Sequence, residues 1–141
     1  MSNRAEYAGS VSLIITGREL DPEVVTRVLG MKPDAAWRRG DAIGSLSAPA
    51  RAREGGWKKL AARSRRSPYL EPQLAAWASA LRPKASLIRR LTARGYYCRL
   101  SWFAASNETV SLMLPVTLQR SLAALGLAWE LSFQLAAEEA T

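Results

Sequence analysis

Apolar and polar residues alternate most strictly near the end of the chain. Between residues 127 and 135 every odd position is a large apolar residue, and every even position is small or polar. A period of two predicts a β-strand with one buried face. Residues 10–17 predict a strand with Val11, Leu13 and Ile15 on one face. Each of these two predicted strands therefore has one buried face, so the sheet should be covered on one side.

A third strand is predicted over residues 96–104, and its two faces differ in character. One face carries Tyr96, Cys98, Leu100 and Trp102, and the other carries Tyr97, Arg99, Ser101 and Phe103. The aromatic and charged residues of the second face indicate either a partner surface or a second covered face.

Residues 21–30 predict a helix with clear start and stop signals. Asp21 can accept hydrogen bonds from the first free N–H groups, and Pro22 fits the first helical position. Gly30 suits the left-handed residue that ends a helix, and Pro33 prevents continuation. The stretch from Gly30 to Pro33 is therefore expected to end a helix.

Two further regions follow the helical period. Residues 70–95 carry apolar residues at helical spacing, and Pro83 predicts a division into two helices, the second ending at Gly95. Residues 117–126 predict another short helix, with Thr117 as its capping residue.

The remaining elements have weaker signals. A short strand is expected over residues 57–60, and a strand over 109–114 is expected to form a hairpin with the strand before it. Residues 42–55 and 64–68 are rich in small, Gly, Pro and basic residues, which predicts mobile loops.

The resulting order of elements predicts an α+β fold. We expect a two-layer sandwich with an antiparallel-rich sheet of four to five strands and helices on one face, loosely ferredoxin-like. The length of 141 residues favours a single domain over residues 1–141. Its core should span about 10–135, with a flexible basic loop at about 42–56 and frayed termini.

Composition is consistent with a globular protein. Apolar residues make up 48% of the chain, and no apolar run approaches the ~20 residues of a membrane span. The first ten residues lack the apolar core of a signal peptide. Cys98 is the only cysteine, which leaves no intrachain disulfide. We therefore expect a cytoplasmic protein that does not contact membranes.

Positive charge is concentrated in the middle of the chain. The net charge is +8, but residues 32–99 alone have a net charge of +12 because they hold sixteen basic and four acidic side chains. Such asymmetry favours an anionic partner, although a solvated basic surface explains the same pattern.

Taken with the order of elements, several motifs resemble a known family. The motif Leu-Gly-Met-Lys-Pro at 29–33 is followed by Trp37 and by the pair Gly40-Asp41. A Gly-Gly-Trp motif, a long helical pair and a helix that runs into the last strand come later. The chain is similar in these features to the bacterial domain-of-unknown-function family 4279, over roughly residues 10–135. The resemblance implies a fold and no particular activity.

The chain departs from that family pattern in two places. Residues 51–66 are unusually rich in arginine. The family pattern implies an acidic residue in the last strand, and Glu130 is the residue available for that role.

The sequence lacks the residues that several kinds of catalytic and metal-binding sites require. The chain has no histidine and one cysteine, which removes histidine-dependent nucleophilic sites and structural zinc sites. No phosphate-binding glycine motif is present, and we expect no cofactor. The remaining enzymatic hypothesis is a hydrolase that uses Asp34 and Asp41 as paired carboxylates. The competing explanation is that each carboxylate accepts hydrogen bonds from turn N–H groups.

The stretch between residues 37 and 59 supplies the candidate contacts for a partner or anion. Two tryptophans flank the predicted loop and could either anchor it or act as stacking platforms beside basic residues, as in proteins that bind single-stranded nucleic acid. The candidate residues are Trp37, Arg38, Arg39, Asp41, Trp57, Lys58 and Lys59.

These observations favour a small non-catalytic binding or protein-interaction domain. Its partner would be a protein or small ligand, and an open sheet face could also support an oligomer. The alternative is a nucleic-acid-binding protein that uses the basic segment 32–66, which requires those side chains to lie on one surface.

Overall fold

The computed structural model of the chain describes residues 10–61, 70–106 and 113–135. In chain order the strands are β1 (Ser10–Gly17), β2 (Ala35–Trp37), β3 (Ala42–Gly44), β4 (Pro49–Arg51), β5 (Gly55–Leu60), β6 (Tyr97–Ser106) and β7 (Ala128–Leu135). The helices are α1 (Pro22–Leu29), α2 (Leu70–Leu81), α3 (Ala85–Ala93) and α4 (Val116–Ala124), with a 3₁₀ turn over Arg82–Lys84 between α2 and α3.

Five strands form the main sheet in the order β2-β5-β1-β6-β7, with β1 in the centre. Strand β1 runs antiparallel to both β5 and β6, and β2 runs antiparallel to β5. Strands β6 and β7 are parallel, and α4 lies between them in the chain. The predicted α+β class, with an antiparallel-rich sheet of four to five strands, is confirmed.

One face of the sheet forms the hydrophobic core. Val11, Leu13 and Ile15 of β1 are completely buried on this face. The register places Trp57 beside Ile15 and Leu100 beside Leu13, so the same face of three adjacent strands is apolar. Helices α1, α2 and α3 contact β5, β1 and β6 respectively, and α2 contacts α4. The helices therefore cover one face, as predicted.

Helix α2 also completes the hydrogen bonding of β1. Val11 lies one residue beyond the end of the pairing with β5. Its N–H donates to Oε1 of the buried Gln73 at 2.6 Å, and its carbonyl accepts from Nε1 of Trp77 at 2.9 Å. Two α2 side chains thus take the place of a neighbouring strand, because a buried backbone group without a partner is costly.

Helix α1 has the predicted boundaries. The Asp21 carboxylate accepts from the Glu23 N–H, Pro22 begins the helix, and Gly30 follows its last residue with φ of 65°. The N–H of Gly30 donates to the Thr26 carbonyl at 2.8 Å. The interruption at Pro83 is also confirmed, because α2 and α3 are separated by the 3₁₀ turn.

The structure differs from the sequence-based prediction in four places. Residues 35–37, for which no element was predicted, form the short strand β2. Residues 42–55 contain the β3–β4 hairpin instead of an irregular loop, with a turn in which Ser45 Oγ accepts from the Ala48 N–H. Helix α4 begins at Val116 after Pro115, so Thr117 is not its cap. Residues 113–114 are not in a strand, while 109–112 and 64–68, like the predicted hairpin turn, lie outside the described residues.

Within the described ranges, no helix is both long and apolar enough to cross a membrane.

Candidate functional site

The side of the sheet that faces away from the helices is called the open face here. It is formed by alternate residues of five strands, which the register arranges in rows across the sheet. The first row runs from Trp37 through Gly56 and Thr16 to Tyr97. A Cβ atom at Gly56 would overlap the Trp37 indole, so this ring lies directly over the glycine. Glycine in a strand is often required by such close approach.

The second row carries two cations on either side of the central strand. Lys58 and Arg99 are both paired with Ile14, one on each side of it. Neighbouring strands lie about 4.8 Å apart, so the two backbones are separated by roughly 10 Å. The Lys58 ammonium has no hydrogen bond or ion pair within the described part of the chain.

Arg99 is a largely buried cation of the open face, with 17% of its side chain exposed. Its Nη1 donates to Thr16 Oγ1 at 3.1 Å, and its guanidinium carbon lies 5.0 Å from the centre of the Tyr97 ring. The Glu130 carboxylate lies 3.8 Å from Nε, which has no hydrogen-bond partner among the described residues. The charge of Arg99 is therefore incompletely balanced, because Glu130 is half exposed and also accepts from Ser101.

Aromatic side chains lie exposed on the same face. Tyr97 is 53% exposed and Phe103 is 50% exposed. No described helix packs against them, since all four helices contact the opposite side or each other. The open face thus combines exposed aromatic rings with two cations.

Trp57 and Lys59 point in the opposite direction from this face. Trp57 is fully buried beside Ile15, and its Nε1 donates to Thr26 Oγ1 of α1 at 3.0 Å. Lys59 is paired with Leu13 and donates to the Lys32 carbonyl at 2.8 Å. The register puts Trp37 and Trp57 on opposite faces, so they cannot form the expected pair of stacking platforms in this conformation.

Arg38 and Arg39 are paired with acidic residues. Nη2 of Arg38 lies 3.0 Å from Oδ1 of Asp21, and Nη1 of Arg39 lies 2.6 Å from Oε1 of Glu19. Both pairs involve exposed side chains, so each contributes little to stability. The local acids nevertheless offset the positive charge that these arginines would present to a partner.

Asp34 and Asp41 have separate structural roles. Oδ2 of Asp34 accepts from the Leu60 N–H at 2.7 Å, and Oδ2 of Asp41 accepts from the Arg38 N–H at 2.8 Å. Each carboxylate thus satisfies a backbone donor in a different segment, as the turn-based explanation expects. Their hydrogen bonds provide no support for a shared acid–base pair.

The described cations of the basic segment 32–66 do not all lie on one surface. Lys58 and Lys59 lie on opposite faces of the sheet, and Arg51 donates to the Gly40 carbonyl within the hairpin region. Arg63, Arg65 and Arg66 lie outside the described residues. The requirement set by the nucleic-acid hypothesis for this segment is therefore not met by its described cations.

Cys98 lies on the helix side of β6 and is buried. Burial raises the pKa of its thiol, and a long contact from Thr92 Oγ1 to Sγ at 4.0 Å opposes this only in part. Across the described ranges, no group of three or more acidic or cysteine side chains could hold a metal ion.

The helix side of the molecule has its own surface features. A cavity of about 360 Å³ is lined mainly by apolar atoms of α2 and β5, and by Met31. At the edge strand β7, Trp129 is 44% exposed, and Phe133 is 50% exposed while its ring meets Trp102 edge-on at 5.5 Å. Lys59 and Trp77 also line the cavity, but the Lys59 ammonium donates to the Lys32 carbonyl, and Trp77 is buried and donates to the Val11 carbonyl.

Sequence reasoning identified Tyr97, Arg99, Ser101 and Phe103 as one face but did not connect them to Lys58. That connection depends on the register of β1 with both neighbours, which alternation within one strand cannot give. The available signal was the Gly55-Gly56 pair before Trp57, because glycine inside a strand indicates close approach of another group.

Comparison with known proteins identifies the family. The model of the family described as a domain of unknown function, DUF4279, matches residues 5–136. No curated protein and no solved structure matches the chain. The match spans nearly the entire sequence and includes every described strand and helix, so the chain belongs to the DUF4279 family.

Proposed function

We propose that this protein is a non-catalytic binding domain and that the open face of its sheet is the binding surface. The observation that carries the proposal is the exposure of Tyr97 and Phe103 on a sheet face that no described helix covers. Large aromatic side chains contribute strongly to binding when a partner covers them and contribute little to folding while exposed. In this proposal the chain acts as a single cytoplasmic domain.

The site chemistry favours binding over hydrolysis. Asp34 and Asp41 accept backbone hydrogen bonds that hold β2 to β5 and close the following turn. Glu130 is bound to Ser101 and lies near Arg99. These carboxylates already have structural partners, whereas the aromatic rings and the Lys58 ammonium of the open face are available to a ligand.

Native mass spectrometry of freshly purified wild type and variants tests the proposal. It detects molecules that remain bound to each protein. The variant Tyr97→Thr/Phe103→Thr removes the exposed rings. The control Ala80→Leu reduces the helix-side cavity that Ala80 helps to line. Thermal unfolding checks that both variants remain folded.

We expect wild type and Ala80→Leu to retain a bound species and Tyr97→Thr/Phe103→Thr to lose it. A second copy of the chain counts as a bound species in this experiment. Loss from Ala80→Leu with retention by Tyr97→Thr/Phe103→Thr would place binding in the cavity and contradict the proposal.

A further inference from the structure

We propose that the open face binds a nucleotide, with the base against Trp37 and the phosphate held by Lys58 and Arg99. This inference rests on the proposed function, and it names the ligand class. A nucleotide combines a planar ring with a phosphate, and that chemistry is shared by a free nucleotide and by a nucleotide within a single strand.

The ring contact follows from the position of Trp37. The indole lies over Gly56, where the absence of a side chain lets the ring approach the sheet backbone closely. Trp37 is half-buried, so part of its surface remains accessible. Bases stack on such aromatic rings with little dependence on sequence.

Lys58 lies close to this platform. It follows Gly56 by two residues on β5, which puts both on the same face about 6–7 Å apart. Lys58 therefore lies on the same face as the Trp37 indole, next along the strand from the glycine that the indole covers. Since its ammonium has no partner in the described structure, it can bind a ligand anion without breaking an internal ion pair.

Arg99 supplies the second positive charge. It is largely buried, with 17% of its side chain exposed, and its only carboxylate neighbour within the described residues lies 3.8 Å from Nε. Tyr97 and Thr16 hold its guanidinium in place through a ring contact and a hydrogen bond. A fixed, incompletely neutralised guanidinium is well suited to phosphate.

The number of charges selects phosphate over a single carboxylate. Lys58 and Arg99 flank Ile14 and carry two positive charges, of which Glu130 offsets part of one. A terminal phosphate carries nearly two negative charges at neutral pH. A terminal phosphate can therefore balance both cations, whereas a carboxylate or a phosphate within a strand carries a single negative charge. The charge count thus favours a free nucleotide over a nucleotide within a single strand.

The experiment measures binding of four probes by isothermal titration calorimetry or, for the labelled strand, by fluorescence anisotropy. The probes are AMP, adenosine, inorganic phosphate and a ten-nucleotide single-stranded DNA. We expect AMP to bind at least about tenfold more tightly than adenosine or inorganic phosphate, because only AMP supplies both contacts.

Two variants distinguish binding at this site from a general effect of the protein's positive charge. Lys58→Gln should weaken AMP or single-strand binding by about tenfold or more, because it removes a charge-assisted contact. Lys32→Gln is the matched control, since it removes the same charge from an exposed lysine whose carbonyl is bound by Lys59 on the other side of the sheet. It should change affinity by less than about twofold.

A third variant tests the platform. Trp37→Leu should weaken binding by about tenfold, because loss of stacking removes the ring contact. Single-strand binding much tighter than AMP binding would identify nucleic acid as the source of the nucleotide, and the reverse would identify free nucleotide.

Equal loss in Lys58→Gln and Lys32→Gln would overturn the inference, as would the absence of binding by AMP and by the single strand. Neither result would refute the proposed function if another bound species still depends on Tyr97 and Phe103. Loss of that dependence as well would refute both.

Discussion

The neighbours of Arg99 fix the position of its guanidinium, but they neutralise its charge only in part. It has an aromatic contact with Tyr97 and a hydrogen bond to Thr16, but only one carboxylate, at 3.8 Å. Burying a charge costs free energy unless the charge is well paired. The residue is thus fixed at some cost to stability, which fits a role in binding better than a role in folding.

This imbalance predicts the effect of removing each charge. Arg99→Met should leave the free energy of unfolding within about 1 kcal/mol of wild type or raise it, because a buried charge is replaced by an apolar chain of similar length. Glu130→Gln should lower it by up to about 1 kcal/mol, a small value because Glu130 is half exposed.

Urea denaturation measures both variants, and the double variant is the control. In the Arg99→Met background, Glu130→Gln should have no further effect. A loss above about 2 kcal/mol for Arg99→Met would mean that the guanidinium contributes to folding after all.

Cys98 provides a second residue-scale prediction. Burial raises the pKa of the thiol, so the reactive thiolate is depleted in the folded protein at neutral and mildly alkaline pH. Alkylation by iodoacetamide at pH 8 should be slow in the folded state and fast in urea. Because the folded pKa is raised, folding stability should decline as pH rises above the ordinary thiol pKa. Rapid alkylation of the native protein would contradict the burial of the Cys98 side chain.

At the scale of one helix, Asp21 has two functions that can be separated. It caps α1 through the Glu23 N–H and pairs with Arg38 at 3.0 Å. Asp21→Asn keeps a good capping group and loses the charge, whereas Asp21→Ala loses both. We expect Asp21→Asn to remain within about 0.5 kcal/mol of wild type and Asp21→Ala to lose about 1 kcal/mol. Equal losses in denaturation experiments would assign the effect to the ion pair.

The contact between α2 and β1 predicts a larger effect. Gln73 is completely buried and accepts from the Val11 N–H. Gln73→Leu removes that acceptor in a dry environment, so the free energy of unfolding should fall by about 1–3 kcal/mol. Gln119→Leu is the matched control, because Gln119 is exposed and its side-chain amide donates to the Leu114 carbonyl. A stable Gln73→Leu variant would show that Val11 finds another acceptor.

The elements that could be predicted from the sequence are those whose residues are buried in a regular pattern. Strands β1, β6 and β7 and the helices have apolar periods because one side of each packs into the core. Strands β2, β3 and β4 have three residues each and are largely exposed, so no such period exists. Their presence depends on pairing with a partner strand, which is a tertiary property.

The candidate site was harder to predict than the fold. Alternation indicated that Tyr97, Arg99 and Phe103 share a face. The sequence around Trp57 and Lys58 contains no comparable indication of which residue faces the helices. Only the pairing of β5 with β1 decides this, and it places Trp57 in the core and Lys58 on the open face.

For the molecule as a whole, the sheet separates two different environments. Trp57, Trp77 and Trp102 are buried on the helix side, Trp37 is half-buried on the open face, and Trp129 is 44% exposed at the edge. The positive charge of the middle segment is divided between these sides, since Lys58 and Lys59 point in opposite directions. A general basic surface is therefore a poorer description of the protein than a local cationic site.

This distribution predicts the response to acrylamide, a neutral quencher of tryptophan fluorescence. Trp129→Phe should remove most of the rapidly quenched emission, because Trp129 is the most exposed of the five rings. Trp102→Phe is the control and should leave the quenched fraction unchanged, since Trp102 is buried. Undiminished quenching in Trp129→Phe would show that another tryptophan is more accessible than the fold allows.

The bond from the Val11 N–H to Gln73 also has a consequence for dynamics. In most strands the exchange of an amide hydrogen with solvent reports the separation of two strands. At Val11 the acceptor belongs to a helix side chain, so exchange there requires α2 to move away from the sheet. The rate at this single amide would therefore report how often the helical layer opens, independently of whether the strands remain paired.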